Sequence, residues 1–227
     1  MPNLRYRLLV AGMVCGAVGA IALSGCASPS GIECKQGSII ALGDSITFGA
    51  GLEPGESYPS QLAGLIDRDV CNAGINGDTA GGAVRRLRRD VLRFHPTTVV
   101  ILLGVNDAGF FGDPTGTGNV RDSLELIIER VRASGATPVL CSLLPIDPER
   151  LQAQFVQPRR WPAYDTVVRA VAADEGVSFV DLGKAFGGRL DLLADGLHPS
   201  PAGSLVIAQA VANVLIAEKL ATPDNTN

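Results

Sequence analysis

The sequence predicts an α/β fold, a three-layer α/β/α sandwich on a five-stranded parallel sheet, and two observations carry that expectation. Five short apolar runs alternate along the chain with longer segments of helical period, which is the pattern of right-handed βαβ crossovers. One of the runs, Thr98-Val99-Val100-Ile101-Leu102-Leu103, is β-branched and apolar without alternation. Such a run suits a strand covered on both faces, as in a parallel sheet. Five doubly wound strands of this kind make a flavodoxin-like sheet. The 227 residues, 46% of them hydrophobic, suffice for one domain with a substantial core and are short for two.

Taken in order, residues 1–25 read as an export signal: Arg5 and Arg7 precede an apolar run over 8–23 that is short and glycine-rich for a membrane span. A tether of small and polar residues is expected over 26–36, the folded domain over 37–220 and a tail over 221–227. The first strand covers 38–42. The loop 49–55 after it lacks both the dinucleotide spacing and the Lys-Ser/Thr of a phosphate loop, so it reads as a turn. A helix starts near Ser57 with Pro59 in its first turn and turns Leu62, Leu65 and Ile66 inward. The second strand is 70–73. The helix that follows, to about 92, carries Val84, Leu87 and Val91 on one face, which predicts Arg85, Arg86, Arg88 and Arg89 on the solvated side. The third strand, 98–103, leads through a glycine-containing segment to a helix over 119–134, with Val120, Leu124, Ile127, Ile128 and Val131 in register and Gly135 as its stop. A fourth strand over 138–142, an irregular stretch over 143–158, a helix over 160–174 and a fifth strand over 178–181 come next. After a loop or short helix over 185–194, the last helix takes Ser200 as N-cap and Pro201 at its first position.

The stretch Leu23-Ser24-Gly25-Cys26 resembles the bacterial lipobox, which implies cleavage before Cys26 and a diacylglyceryl group on its thiol. That resemblance predicts an exported protein held on a membrane surface by lipid rather than by a spanning helix; a soluble secreted protein is the alternative. With Cys15 in the signal and Cys26 acylated, Cys34, Cys71 and Cys141 remain, an odd number that leaves at least one free thiol. Cys71 and Cys141 lie in apolar strand-like runs and are expected as small buried hydrophobes, with a Cys34–Cys71 pair left open. No CxxC or Cys/His cluster points to a metal, and no cofactor is expected. The net charge of −4, without basic blocks outside one helix, argues against a nucleic-acid partner. A monomer is expected.

Chemistry collects at the strand ends. Gly43-Asp44-Ser45 stops the first strand abruptly at a hydroxyl, the way a fold presents a nucleophile at a sheet edge, although the tripeptide alone is also an ordinary turn. In an open parallel sheet the carboxyl ends of the strands share one edge, so the loops at Ser45, Gly77, Asn106 and 195–198 are expected to converge. Of the two histidines, His95 precedes the third strand and falls on the opposite edge. His198 lies on the edge that carries Ser45. Asp195, three residues before it, is spaced to accept from one ring nitrogen and leave the other facing the serine.

These blocks resemble, in order and over about 37–218, those of the SGNH (GDSL-type) hydrolases. Gly43-Asp44-Ser45 is similar to the first, Asn72 through Thr79 to the second, Gly104-Val105-Asn106-Asp107 to the third and Asp195-Gly196-Leu197-His198-Pro199 to the last. The resemblance implies Ser45 as nucleophile, Asp195 and His198 as its acid/base partners, and an oxyanion hole made by the amides of Ser45 and Gly77 and the Asn106 side chain. Asp44 and Asp107 then read as scaffold. The blocks look most like the small bacterial arylesterase and acyl thioesterase/lysophospholipase branch, implying acyl-serine cleavage of short-chain, aryl, thio- or lysophospholipid esters at an open site. A carbohydrate O-deacetylase and a non-catalytic envelope-binding module are the competing readings. Phe110, Phe111 and Trp161 are read two ways, as lining an acyl pocket or as covering the core edge.

Overall fold

A computed structural model describes residues 31–109, 117–151 and 158–221. Five parallel strands form one sheet in the order β2-β1-β3-β4-β5: β1 (Ile39–Gly43), β2 (Val70–Gly74), β3 (Thr98–Leu102), β4 (Thr137–Cys141) and β5 (Ser178–Val180). Every residue of β1 and β3 is buried, which explains why their sequences carry no polar alternation. The helices are α1 (Ser45–Phe48), α2 (Tyr58–Ile66), α3 (Ala80–Asp90), α4 (Val105–Ala108), α5 (Gly118–Ala133), α6 (Trp161–Glu175), α7 (Leu182–Phe186) and α8 (Pro201–Ala217). Two layers result: α8 packs on α2 and α7, while α5 packs on α3 and α6. The inward stripe read for α5, Val120 through Val131, is fully buried. The sequence-based elements thus recur with their ends moved by a few residues, and the loop 185–194 resolves into α7 and a 3-10 turn at Leu190–Leu192.

The strand register sets the height of the site. Gly43 stands beside Gly74 on one side and Leu102 on the other, so the chains leaving β1, β2 and β3 emerge level. Because the strand order reverses at β1, the loops after β1 and β3 part there and leave a crevice.

Two sequence expectations are corrected, besides Leu65 of α2, which was expected to turn inward and is 45% exposed. Cys71 is not a buried apolar thiol: it is bonded to Cys34, with 5.5 Å between their Cα atoms, and Cys141 is the buried free thiol. With the Lys35–Asp69 ion pair at 2.8 Å, the disulfide straps 31–36 against β2, whose outer edge is otherwise unpaired. The second correction is Arg86, which is 5% exposed and belongs to the interior, whereas Arg85, Arg88 and Arg89 are exposed as expected. Among the described residues no helix is long and apolar enough to cross a membrane. The export signal, Cys26, Phe110 and Phe111 lie outside them.

Candidate active site

Ser45 opens α1, a single helical turn begun by Asp44, whose Oδ1 accepts from the Ile46 N–H at 3.0 Å. That turn rests directly on the sheet because Gly43 and Gly74 have no side chains. A Cβ on Gly74 would run into the Phe48 backbone, and one on Gly43 into Thr47 Oγ1. Ser45 is 7% exposed, with its hydroxyl oxygen 3.0 Å from His198 Nε2. On the far side of the ring, His198 Nδ1 is 2.7 Å from Asp195 Oδ2. The spacing of three works as the sequence suggests, with an additional constraint: Asp195 Oδ1 accepts from the backbone N–H groups of Leu197 (3.0 Å) and His198 (2.7 Å). Partial burial acts to raise Asp195, but these three hydrogen bonds together outweigh it and hold the carboxyl below its usual range.

The loop carrying Asp195 and His198 is closed on itself, the Ala194 N–H donating to the His198 carbonyl at 2.7 Å. It is also braced from outside. Arg150 donates to the Ala194 carbonyl at 2.7 Å and the Asp147 N–H to the Gly196 carbonyl at 2.9 Å. The stretch after β4 therefore supports this loop, and Trp161 supports that stretch, its indole N–H donating to the Leu144 carbonyl at 2.8 Å. Trp161 is buried, spends its indole N–H on that stretch and is absent from the lining of the cavity at Ser45, which favours the core-edge reading.

Gly77 sits at the third position of a β-turn closed by the Asp78 N–H on the Ile75 carbonyl at 3.1 Å. Its φ of 74° is one that glycine adopts without strain. Asn106, on α4, spends one amide hydrogen on the Asp78 carbonyl at 2.8 Å and retains the second. Asp107 accepts from the Ala80 N–H at 3.0 Å and joins α4 to the start of α3. Burial, first, raises Asp107 and Asp44; Asp44 reaches about 7, with the Asp107 and Asp78 charges adding to the effect of burial. Neither aspartate touches His198, in keeping with their reading as scaffold.

Ser45, Ala50, Asn76, Gly77, Asn106, Leu197 and His198 line a cavity of about 340 Å³. Every residue predicted from sequence for the site, apart from Cys26, borders this cavity or the hydrogen-bonded line that ends in it. His95 lies apart, exposed at the close of a 3-10 turn before β3. Among the described residues no group of His, Cys, Asp and Glu is gathered to hold a metal. The feature that sequence reasoning missed is Arg86, which joins Asp78 to Gly43. The available signal was its place on one stripe of α3 with Ala83, Leu87 and Asp90.

Comparison with known proteins matches residues 41–206 to the model of the GDSL-like lipase/acylhydrolase family. Esterase TesA of Pseudomonas aeruginosa is 30% identical over 190 residues, covering 80% of this chain and 90% of that protein. A lipoprotein of Bacillus subtilis, YqeF, is 29% identical, covering 76% and 87%. The crystal structure of a lipase/acylhydrolase from Enterococcus faecalis superposes with a TM-score of 0.71 at 26% identity, over 81% of this chain and 97% of that one.

Proposed function

The chain belongs to the GDSL-like lipase/acylhydrolase family of carboxylic ester hydrolases, and on that premise we propose that it cleaves acyl esters through an acyl-serine intermediate on Ser45. The observation that carries this reading is the continuous line Asp195–His198–Ser45, with gaps of 2.7 and 3.0 Å. His198 Nε2 takes the Ser45 proton as Oγ bonds to the substrate carbonyl carbon, and Asp195 stabilises the imidazolium and fixes the ring. The negative charge moved onto the carbonyl oxygen is met by the backbone N–H groups of Ser45 and Gly77 and the second Asn106 amide hydrogen. Such prepositioned donors are worth about 3–4 kcal/mol each in the transition state. His198 returns its proton to the departing alkoxide or thiolate. Water then repeats the attack, with the same ring as base, and frees the acid and the serine.

Export and lipid attachment at Cys26 belong to this proposal. Their support is the basic-then-apolar start of the chain, the lipobox-like tetrapeptide and the similarity to a lipoprotein. A mature N-terminus at Cys26 with the mass of a diacylglyceryl adduct is the expected finding; a free N-terminus elsewhere refutes it.

The reaction itself is tested with p-nitrophenyl esters of increasing acyl length beside acetylated glycans and acyl-CoA. Hydrolysis of the aryl esters, abolished in Ser45→Ala and His198→Ala proteins that remain folded, is expected. Acetyl release from glycans without aryl-ester turnover would replace the reading with an O-deacetylase. No turnover of any ester would leave an envelope-binding module.

A further inference from the structure

The buried guanidinium of Arg86 reaches each loop assigned above to the oxyanion hole, directly or through one residue. Nε donates to Asp78 Oδ2 at 2.6 Å and Nη2 to the Gly43 carbonyl at 2.9 Å. Gly43 lies two residues before Ser45, and Asp78 directly follows Gly77. The Asp78 carbonyl, in turn, receives the Asn106 amide at 2.8 Å, while its side chain also accepts from the Thr79 N–H at 3.0 Å. Asp90, one turn along α3, lies 3.8 Å from Nη1. A charge with so little access to water is retained at a cost unless its partners use its geometry. The planar fork can hold two acceptors at a fixed angle, which an ammonium cannot.

We propose that Arg86 is a positioning residue for the oxyanion hole: by tying Asp78 to Gly43 it fixes the loops after β1 and β2 against each other and, through the Asp78 carbonyl, sets the direction of the Asn106 amide. The kinetic part rests on the esterase reading; the clamp itself does not. Arg86 touches no substrate atom. Its effect falls on kcat, because the donors it orients act on charge that exists only in the transition state.

The test is a double-mutant cycle between Arg86→Lys and Asn106→Ala, run with a p-nitrophenyl ester. Arg86→Lys keeps the charge and loses the fork, and is expected to lower kcat about 10- to 100-fold with KM changed less than about threefold. Asn106→Ala alone should cost about 100- to 1000-fold. In the double variant the loss should fall at least about threefold short of the product of the two, since an absent amide cannot be misdirected while the effect on the loops after β1 and β2 remains. Asp78→Asn, which breaks the same clamp from its other end, should couple to Asn106→Ala likewise. Multiplicative losses in both cycles overturn the proposal while leaving the esterase reading intact. Independent of turnover, the Asn106 side-chain amide resonances, identified by their loss in Asn106→Ala, should shift in Arg86→Lys while amides of β4 and β5 stay in place. Unmoved resonances overturn the clamp. A wild-type protein without esterase turnover instead overturns the esterase reading, and with it the kinetic part of this one.

Discussion

Asp44, directly before Ser45, is fully buried and carries a carboxyl pushed up to about 7, first by burial. A group whose folded pKa exceeds its unfolded one binds more protons in the native state between the two values. Its contribution to stability is therefore complete below about pH 4, declines as pH rises, and is gone above about 7, a change of order 4 kcal/mol over that window. Asn at this position can still accept from the Ile46 N–H and does not titrate. The stability of wild type relative to Asp44→Asn, from urea unfolding, should fall steadily from pH 4.5 to 7.5; a constant difference refutes the shift. The Asp195–His198 pair was legible at this scale because its spacing of three is local, and Ser45 because it stops the first strand at a hydroxyl. Arg86 was not. In an arginine-rich helix each guanidinium looks alike until the partners across space, Asp78 and Gly43, are known.

Among the elements, the single-turn helices α1 and α4 escaped the sequence reading although they hold Ser45 and Asn106. Four residues cannot express a 3.6-residue period, and such turns exist only because the sheet beneath them supports them. The strands and the long helices were legible, since continuous apolar runs and the α5 stripe record burial directly. Gly74 shows how closely α1 is seated: an added Cβ would lie 2.7 Å from Phe48 Cα. Gly74→Ala should therefore lift α1, cost about 1–3 kcal/mol in stability and lower kcat about 10- to 100-fold through displacement of Ser45. Chemical denaturation and steady-state kinetics check the two effects. A variant that loses stability without losing kcat would show that the seating of α1 does not govern the serine.

For the whole molecule, a level register at the ends of β1, β2 and β3 gathers the loops of Ser45, Gly77 and Asn106, and the loop before α8 brings His198, 153 positions from Ser45, into hydrogen-bond contact with it. The sheet order supplies that juxtaposition, and the alternation of strands and helices made it readable in advance. The Cys34–Cys71 bond was not readable, because pairing depends on distance in space and three candidate thiols remained. It closes a loop of 37 residues, for which chain entropy gives about 3–4 kcal/mol. The Cys34→Ser/Cys71→Ser protein should lose about that much stability while keeping its turnover at 25 °C, because residues 31–36 contribute nothing to the lining of the cavity at Ser45. Loss of turnover in the folded variant would mean that the strap reaches the site. The central claim is that one serine, activated by His198, carries the acyl group. Intact-mass analysis after reaction with a fluorophosphonate, followed by peptide mapping, tests it most directly. The account predicts a single adduct on Ser45 that is strongly slowed in His198→Ala. An unlabelled protein, or an adduct on another residue, would contradict it.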